Sequence, residues 1–191
     1  PSRGLGDVYK RQMLEKNEII QSALRNLKIE ELNPMQEASL EQATGRKDVI
    51  LLSPTGSGKT LAYLLPLLLT LKPNDDSVQV LILVPSRELA LQIDSVFKAM
   101  GTSWKTCCCY GGHPIAEEKK SILSNHPAII IGTPGRITDH LSKGNFNPET
   151  IETLIIDEFD KSLEFGFHDE MAEIITPVSY THLTLPTKLE V

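Results

Sequence analysis

The sequence predicts an α/β fold, a parallel sheet with helices on both faces. Three observations lead there. Short, continuous apolar runs rich in β-branched residues alternate with longer helix-patterned segments, which is the signature of βαβ units. A glycine-rich octapeptide follows the first apolar run, and an acidic pair follows the last. At 191 residues, 40% hydrophobic and 23% charged, the chain holds one full-sized domain. A domain near this size buries roughly 70% of its unfolded surface and needs no disulfides for a core.

The elements follow in order. Helical patterns cover Asn17–Leu27 and Pro34–Thr44, before the first strand at Asp48–Leu52. Helix Lys59–Leu71 is the most apolar stretch. It is too short to span a bilayer, and Pro66 inside it predicts a kink or tight first turns. Strand Val78–Val84, helix Ser86–Met100, strand Lys105–Cys109, helix Pro114–Ser124, strand Ala128–Ile131 and helix Pro134–Leu141 come next, with proline or serine opening several helices. Strand Thr153–Ile156 and helix Phe167–Ile175 complete the pattern, and Lys72–Ser77 and Lys143–Pro148 read as polar loops.

Charge and cysteine usage narrow the function classes. A net charge of −6 does not make a polybasic nucleic-acid or membrane binder, so any bound anion must be held locally. Three adjacent cysteines, Cys107, Cys108 and Cys109, form no disulfide framework and read as small strand residues in a reducing, cytoplasmic compartment. No histidine pair follows them at zinc-finger spacing.

The two ends match through the genetic code. Asp7–Gln12 can be written GAT GTG TAT AAG AGA CAG, whose reverse complement in a shifted frame encodes Val178-Ser179-Tyr180-Thr181-His182. Residues 1–12 and 178–191 are therefore expected to be translated sequencing adaptors and are set aside in reasoning about the fold. The remainder, residues 13–177, carries 15 basic and 23 acidic residues and is more acidic than the whole chain. Its first residues, from Met13, show no signal-peptide core.

Ser53-Pro54-Thr55-Gly56-Ser57-Gly58-Lys59-Thr60 is the strongest local signal. Gly56 and Gly58 allow a loop whose backbone N–H groups point at a polyphosphate, at a helix N-terminus that favours anions. Lys59 would reach the β- and γ-phosphates of ATP, and Thr60 would offer its hydroxyl to Mg²⁺. Ser53 stands where the strict pattern has glycine, but the strand before and the helix after supply the confirming context. Asp157-Glu158 ends an apolar strand at the sheet edge where α/β folds bind ligands. There Asp157 can hold the metal's water shell, and Glu158 can orient and deprotonate an attacking water.

Asp157-Glu158-Phe159-Asp160 joins Pro85-Ser86-Arg87-Glu88-Leu89-Ala90, Gly111-Gly112 and Thr133-Pro134-Gly135-Arg136 in a fixed order. With the phosphate loop, these blocks resemble the DEAD-box family of ATP-dependent RNA helicases. The resemblance covers nearly all of residues 13–177 as the family's first P-loop, RecA-like domain. It implies that Gln36, within Asn33-Pro34-Met35-Gln36, reads adenine, and that Thr55, Gly56, Ser57, Gly58, Lys59 and Thr60 hold the ATP phosphates. The aromatic often found upstream for stacking is absent, with Ile29 and Ile19 the neighbouring candidates. Pro85, Arg87, Gly112, Thr133, Gly135 and Arg136 would contact the RNA sugar–phosphate backbone without reading bases. Asp160 would couple to the next motif, and Phe159 replaces the alanine of the family's name motif.

The family's pattern continues to a Ser-Ala-Thr motif and a second RecA-like domain, neither of which follows here. The resemblance thus implies a C-terminally truncated half without arginine fingers, whose full-length parent is the RNA-stimulated ATPase and which turns over negligibly alone. A DNA helicase of the same superfamily and a non-unwinding RNA clamp remain the alternative functions. A transporter ATPase would lack the Pro85–Ala90 and Thr133–Arg136 blocks.

Overall fold

The computed structural model describes residues 18–43, 49–54, 56–178 and 182–187. The chain runs α1 (Glu18–Leu27), α2 (Pro34–Ala43), β1 (Val49–Leu52), α3 (Lys59–Thr70), β2 (Val80–Leu83), α4 (Arg87–Ala99), β3 (Thr106–Cys109), α5 (Ile115–Asn125), β4 (Ile129–Gly132) and α6 (Pro134–Ser142). A 3₁₀ turn at Pro148–Thr150 leads to β5 (Thr153–Ile156), α7 (Phe159–Glu164), α8 (His168–Ile175) and β6 (His182–Thr187). The six strands form one sheet in the order β1-β6-β5-β2-β4-β3, every pair parallel.

Residue alternation divides the core between the two faces of the sheet. Val80, Ile82, Ile129, Ile131 and Ile155 point to one side, where they pack with α1, α3 and α4. Leu81, Leu83, Ile130, Leu154 and Ile156 point to the other and pack with Ile122, Ile137, Met171 and Ile174 from α5, α6 and α8. The central strands are covered on both faces, as their continuous apolar runs require.

The structure departs from the sequence reading in three places. First, β1 is covered on one face only. Leu51 is buried in the first cluster, whereas Ile50 and Leu52, on the other face, are 62% and 50% exposed. The helices of the second cluster lie over β2 to β5 and stop short of this edge.

Second, His182–Thr187, set aside as adaptor, enters the sheet as β6. It pairs Val49 with Thr184 on one side and Thr153 with His182 on the other. A Leu/Thr-rich hexapeptide satisfies the backbone groups of two open strand edges whatever its codon origin. Pro186, opposite Leu51, contributes no N–H to that ladder. Third, α7 begins directly after the acidic pair, a short helix that the apolar pattern does not mark.

Pro66 lies inside α3, which continues through it as one helix. Proline cannot donate to the carbonyl four residues back, which is Ala62. The buried Ser39 hydroxyl, on α2, donates to that carbonyl instead.

Candidate functional site

The loop after β1 turns on two glycines in the left-handed region, Gly56 at φ 83° and Gly58 at φ 85°. Gly58 caps α3, so Lys59 and Thr60 occupy its first turn, at the positive end of the helix dipole. Ser53, the departure from the strict pattern, places its Oγ 2.7 Å from Ser57 Oγ and closes the loop across its base. Thr55 lies outside the described residues.

Asn33 and Gln36 brace this loop from α2. Asn33 Oδ1 accepts from Gln36 N, and Gln36 Oε1 accepts from Asn33 N, both at 3.0 Å, as in a capping box. Their amide groups then reach outward: Asn33 Nδ2 donates to Ser57 O at 2.9 Å, and Gln36 Nε2 donates to Gly58 O at 3.2 Å. A Cβ at Gly58 would stand 2.5 Å from Gln36 Nε2, which is a second reason for glycine there. Gln36 is thus 5% exposed, and both ends of its amide are engaged with the loop and the helix start.

Across the site, Asp157 follows β5 and is 4% exposed. Its backbone N–H donates to Leu83 O at 2.9 Å, fixing it to the carboxyl end of the sheet. Oδ2 accepts from Tyr63 Oη at 2.9 Å, and Oδ1 accepts from Glu158 N at 2.9 Å. Burial pushes the Asp157 carboxyl up from its usual range, while the Tyr63 hydrogen bond and the Lys59 charge pull against it. Burial, then the Asp157 charge, pushes the Tyr63 phenol well above its ordinary value, so it stays a donor. Tyr63 therefore ties the helix that carries Thr60 to Asp157. A buried carboxylate disfavoured by desolvation and a threonine hydroxyl are oxygen donors of the kind that suits a hard cation.

Glu158 sits at φ 49°, ψ 50°, a left-handed conformation unusual for a side-chain-bearing residue. Its Oε2 accepts from Lys161 Nζ at 2.8 Å, one turn along α7. Phe159 packs against the second apolar cluster and anchors α7 to the sheet, while Asp160 is half-buried in that helix's first turn.

The second set of sequence candidates gathers at the carboxyl ends of β2, β3 and β4. Pro85 is buried, and Ser86 caps α4 by accepting from Leu89 N at 3.3 Å. Arg87 is exposed, with its guanidinium 5.1 Å from the centre of the Tyr110 ring. Gly112, at φ 101°, lies beside it: a Cβ there would be 4.0 Å from Arg87 Nη1. Thr133 caps α6, and its N–H donates to Cys109 O at 3.0 Å. Gly135 has open space around its Cα. Arg136 turns inward, Nη2 donating to His113 O at 2.8 Å, so its side chain is mostly buried.

Sequence reasoning missed Tyr63, Glu118, His113 and His140. Tyr63 carried a signal, as the one phenol on the buried face of the leucine-rich α3. Glu118 carried none, since it looks like any acidic residue in a helix's first turn. Neither did spacing show that Cys109, Glu118 and His140 meet, all buried, with candidate ligand atoms within 4.8 Å. Here His140 Nε2 and Glu118 Oε2 share a hydrogen at 2.7 Å. Two ligands of one tetrahedral zinc stand about 3.3 Å apart, so this contact is an ion-network geometry. Among the described residues, no helix is long and apolar enough to cross a membrane.

A family profile described as DEAD/DEAH box helicase matches residues 33–188. The DEAD-box ATP-dependent RNA helicase CshA of Bacillus cereus is 36% identical over 165 residues, covering 85% of this chain and 31% of that protein. CshA of Bacillus subtilis is 33% identical, covering 87% and 34%. The chain thus spans about a third of the length of these curated relatives. The crystal structure of a DEAD box protein from Methanococcus jannaschii superposes with a TM-score of 0.82 at 28% identity, covering 91% of this chain and 48% of that one. A hypothetical ATP-dependent RNA helicase from Sulfolobus tokodaii superposes with a TM-score of 0.80 at 30% identity, covering 90% and 50%. With that profile covering most of its length, the chain belongs to the DEAD/DEAH box helicase family.

Proposed function

We propose that this chain is the ATP-binding and RNA-backbone-binding half of an ATP-dependent RNA helicase. The observation that carries the reading is the Tyr63–Asp157 hydrogen bond, because it ties the helix after the phosphate loop to the acidic pair. Lys59 and Thr60 then share one end of the sheet with Asp157 and Glu158. Loop amides and Lys59 would hold the phosphates, and Thr60 and Asp157 would hold Mg²⁺, partly through water. The ion would supply charge neutralisation on the transferring phosphoryl group. Glu158 would orient the attacking water and take its proton through Oε1, with Lys161 on Oε2.

The engaged Gln36 amide supports a role in reporting loop position, and adenine reading would use its second N–H and second lone pair. Arg87, the open backbone at Gly112 and Gly135, and the α6 N-terminus at Thr133 support sequence-independent backbone contacts. Arg136 would join them by swinging out or by holding the loop that does. A second RecA-like domain, lying outside this chain, would complete the RNA cleft and supply arginine fingers worth roughly 10³–10⁵ in rate. Three free thiols support a reducing, cytoplasmic setting.

The test has two parts. The chain should bind fluorescent ADP with Mg²⁺, and Lys59→Ala should weaken this at least about tenfold. In the full-length parent, RNA should stimulate ATP hydrolysis, and Glu158→Gln should cut turnover about 10²-fold or more with nucleotide affinity kept. Equal stimulation by single-stranded DNA would move the substrate to DNA. RNA binding indifferent to Glu158→Gln, without hydrolysis in the parent, would leave a clamp.

A further inference from the structure

Glu118 is a charged residue that is 3% exposed, lies outside the nucleotide site and has no part in the chemistry above. Four groups from two other segments converge on it. Tyr110 N donates to Oε1 at 2.9 Å, and His113 Nε2 stands 2.8 Å from the same oxygen. His140 Nε2 lies 2.7 Å from Oε2, and Arg136 Nη1 lies 3.6 Å from it. His140 is fully buried, and its Nδ1 is 3.0 Å from Asn145 Nδ2. With the amide donating to Nδ1, the imidazole presents Nε2–H to the carboxylate.

These contacts join the loop after β3 to α6. Tyr110 and His113 lie on the loop, and Arg136 and His140 lie on the helix. Arg136 adds a second tie by donating to His113 O at 2.8 Å. The Tyr110 ring meets the His113 ring edge-on at 4.9 Å, and Arg87 stands over the Tyr110 ring. Fixing Tyr110 and His113 therefore places Gly111, Gly112, Arg87 and Arg136 relative to one another.

We propose that Glu118 is a positioning residue that locks the loop after β3 to α6 in the geometry that grips an RNA backbone. The inference rests on the RNA-binding reading above. By charge alone, a carboxylate beside a phosphate track weakens RNA binding. Positioning and electrostatics thus predict opposite signs when the carboxylate is removed.

The experiment titrates the chain into fluorescein-labelled oligouridylate at several salt concentrations, with fluorescent ADP binding as the control. Glu118→Ala should weaken RNA binding about tenfold and flatten the slope of log affinity against log salt by about one, as the loosened loop after β3 loses a phosphate contact. Glu118→Gln should weaken binding less than Glu118→Ala does, because the amide oxygen still accepts from Tyr110 N and His113, although its NH₂ opposes the His140 Nε2–H and Arg136. His113→Ala, at a half-buried loop position, should follow Glu118→Ala, and it decides the matter if that variant does not fold. ADP affinity should hold in all of them. RNA binding unchanged or tightened in Glu118→Ala and His113→Ala overturns the proposal. A wild-type chain that binds ADP and no RNA overturns the RNA-binding reading as well, and so separates the two failures.

Discussion

Tyr63 shows how one hydroxyl can organise a site. Its ring belongs to the apolar face of α3, while its Oη donates to Asp157 Oδ2. A buried carboxylate oxygen without a donor costs about 1–3 kcal/mol. Tyr63→Phe keeps the ring and removes that donor, so it should lower the unfolding free energy of the nucleotide-free chain by about that amount. A urea titration with unchanged m-value is the check. At this scale Lys59, Thr60, Asp157 and Glu158 were legible, because each sits at a short fixed distance from a strand end or a glycine. Gln36 was legible as a polar residue of the right chemistry. Its contact with Gly58 O was not, because it joins residues 22 positions apart.

Among the elements, α3 has the most distinctive physics. Its leucines bury it between the sheet and α1 and α2, and its proline leaves a carbonyl that a neighbouring helix must satisfy. Ser39→Ala should therefore destabilise the chain by about 1–3 kcal/mol. Pro66→Ala restores an N–H able to donate to Ala62 O. In that background the Ser39→Ala cost should fall by about half or more, read as coupling in a double-mutant cycle. Additive effects would mean the two helices do not share this carbonyl. What satisfies the Ala62 carbonyl cannot be read from α3 in isolation, since a side chain from α2 is invisible to its own periodicity. The short α7 escaped notice for a related reason. It begins at a residue in the left-handed region, which local pattern rules assign to a turn.

For the whole molecule, two apolar clusters hold a sheet whose carboxyl edge carries both candidate surfaces. Coverage is complete over β2, β4 and β5 and one-sided at β1. Ile50→Lys should accordingly change stability by no more than about 0.5 kcal/mol. Leu51→Ala, one residue along on the covered face, should cost about 2–5 kcal/mol. Thermal or urea unfolding of the pair measures the contrast, and equal costs would mean that β1 is enclosed on both faces.

The sequence alone determined the class of fold, the order of its elements, the phosphate loop and the acidic pair. Those features live in spacing: strand runs, helix periodicity, glycines that admit positive φ, and carboxylates at strand ends. Only the tertiary structure decided that Tyr63 joins the loop to Asp157, that Glu118 gathers the loop after β3 and α6, and that residues 182–187 occupy a slot between β1 and β5. Each of these depends on contacts between residues far apart in the chain. Such contacts are chosen by which faces the packed helices and strands turn toward one another, and no local pattern encodes that choice.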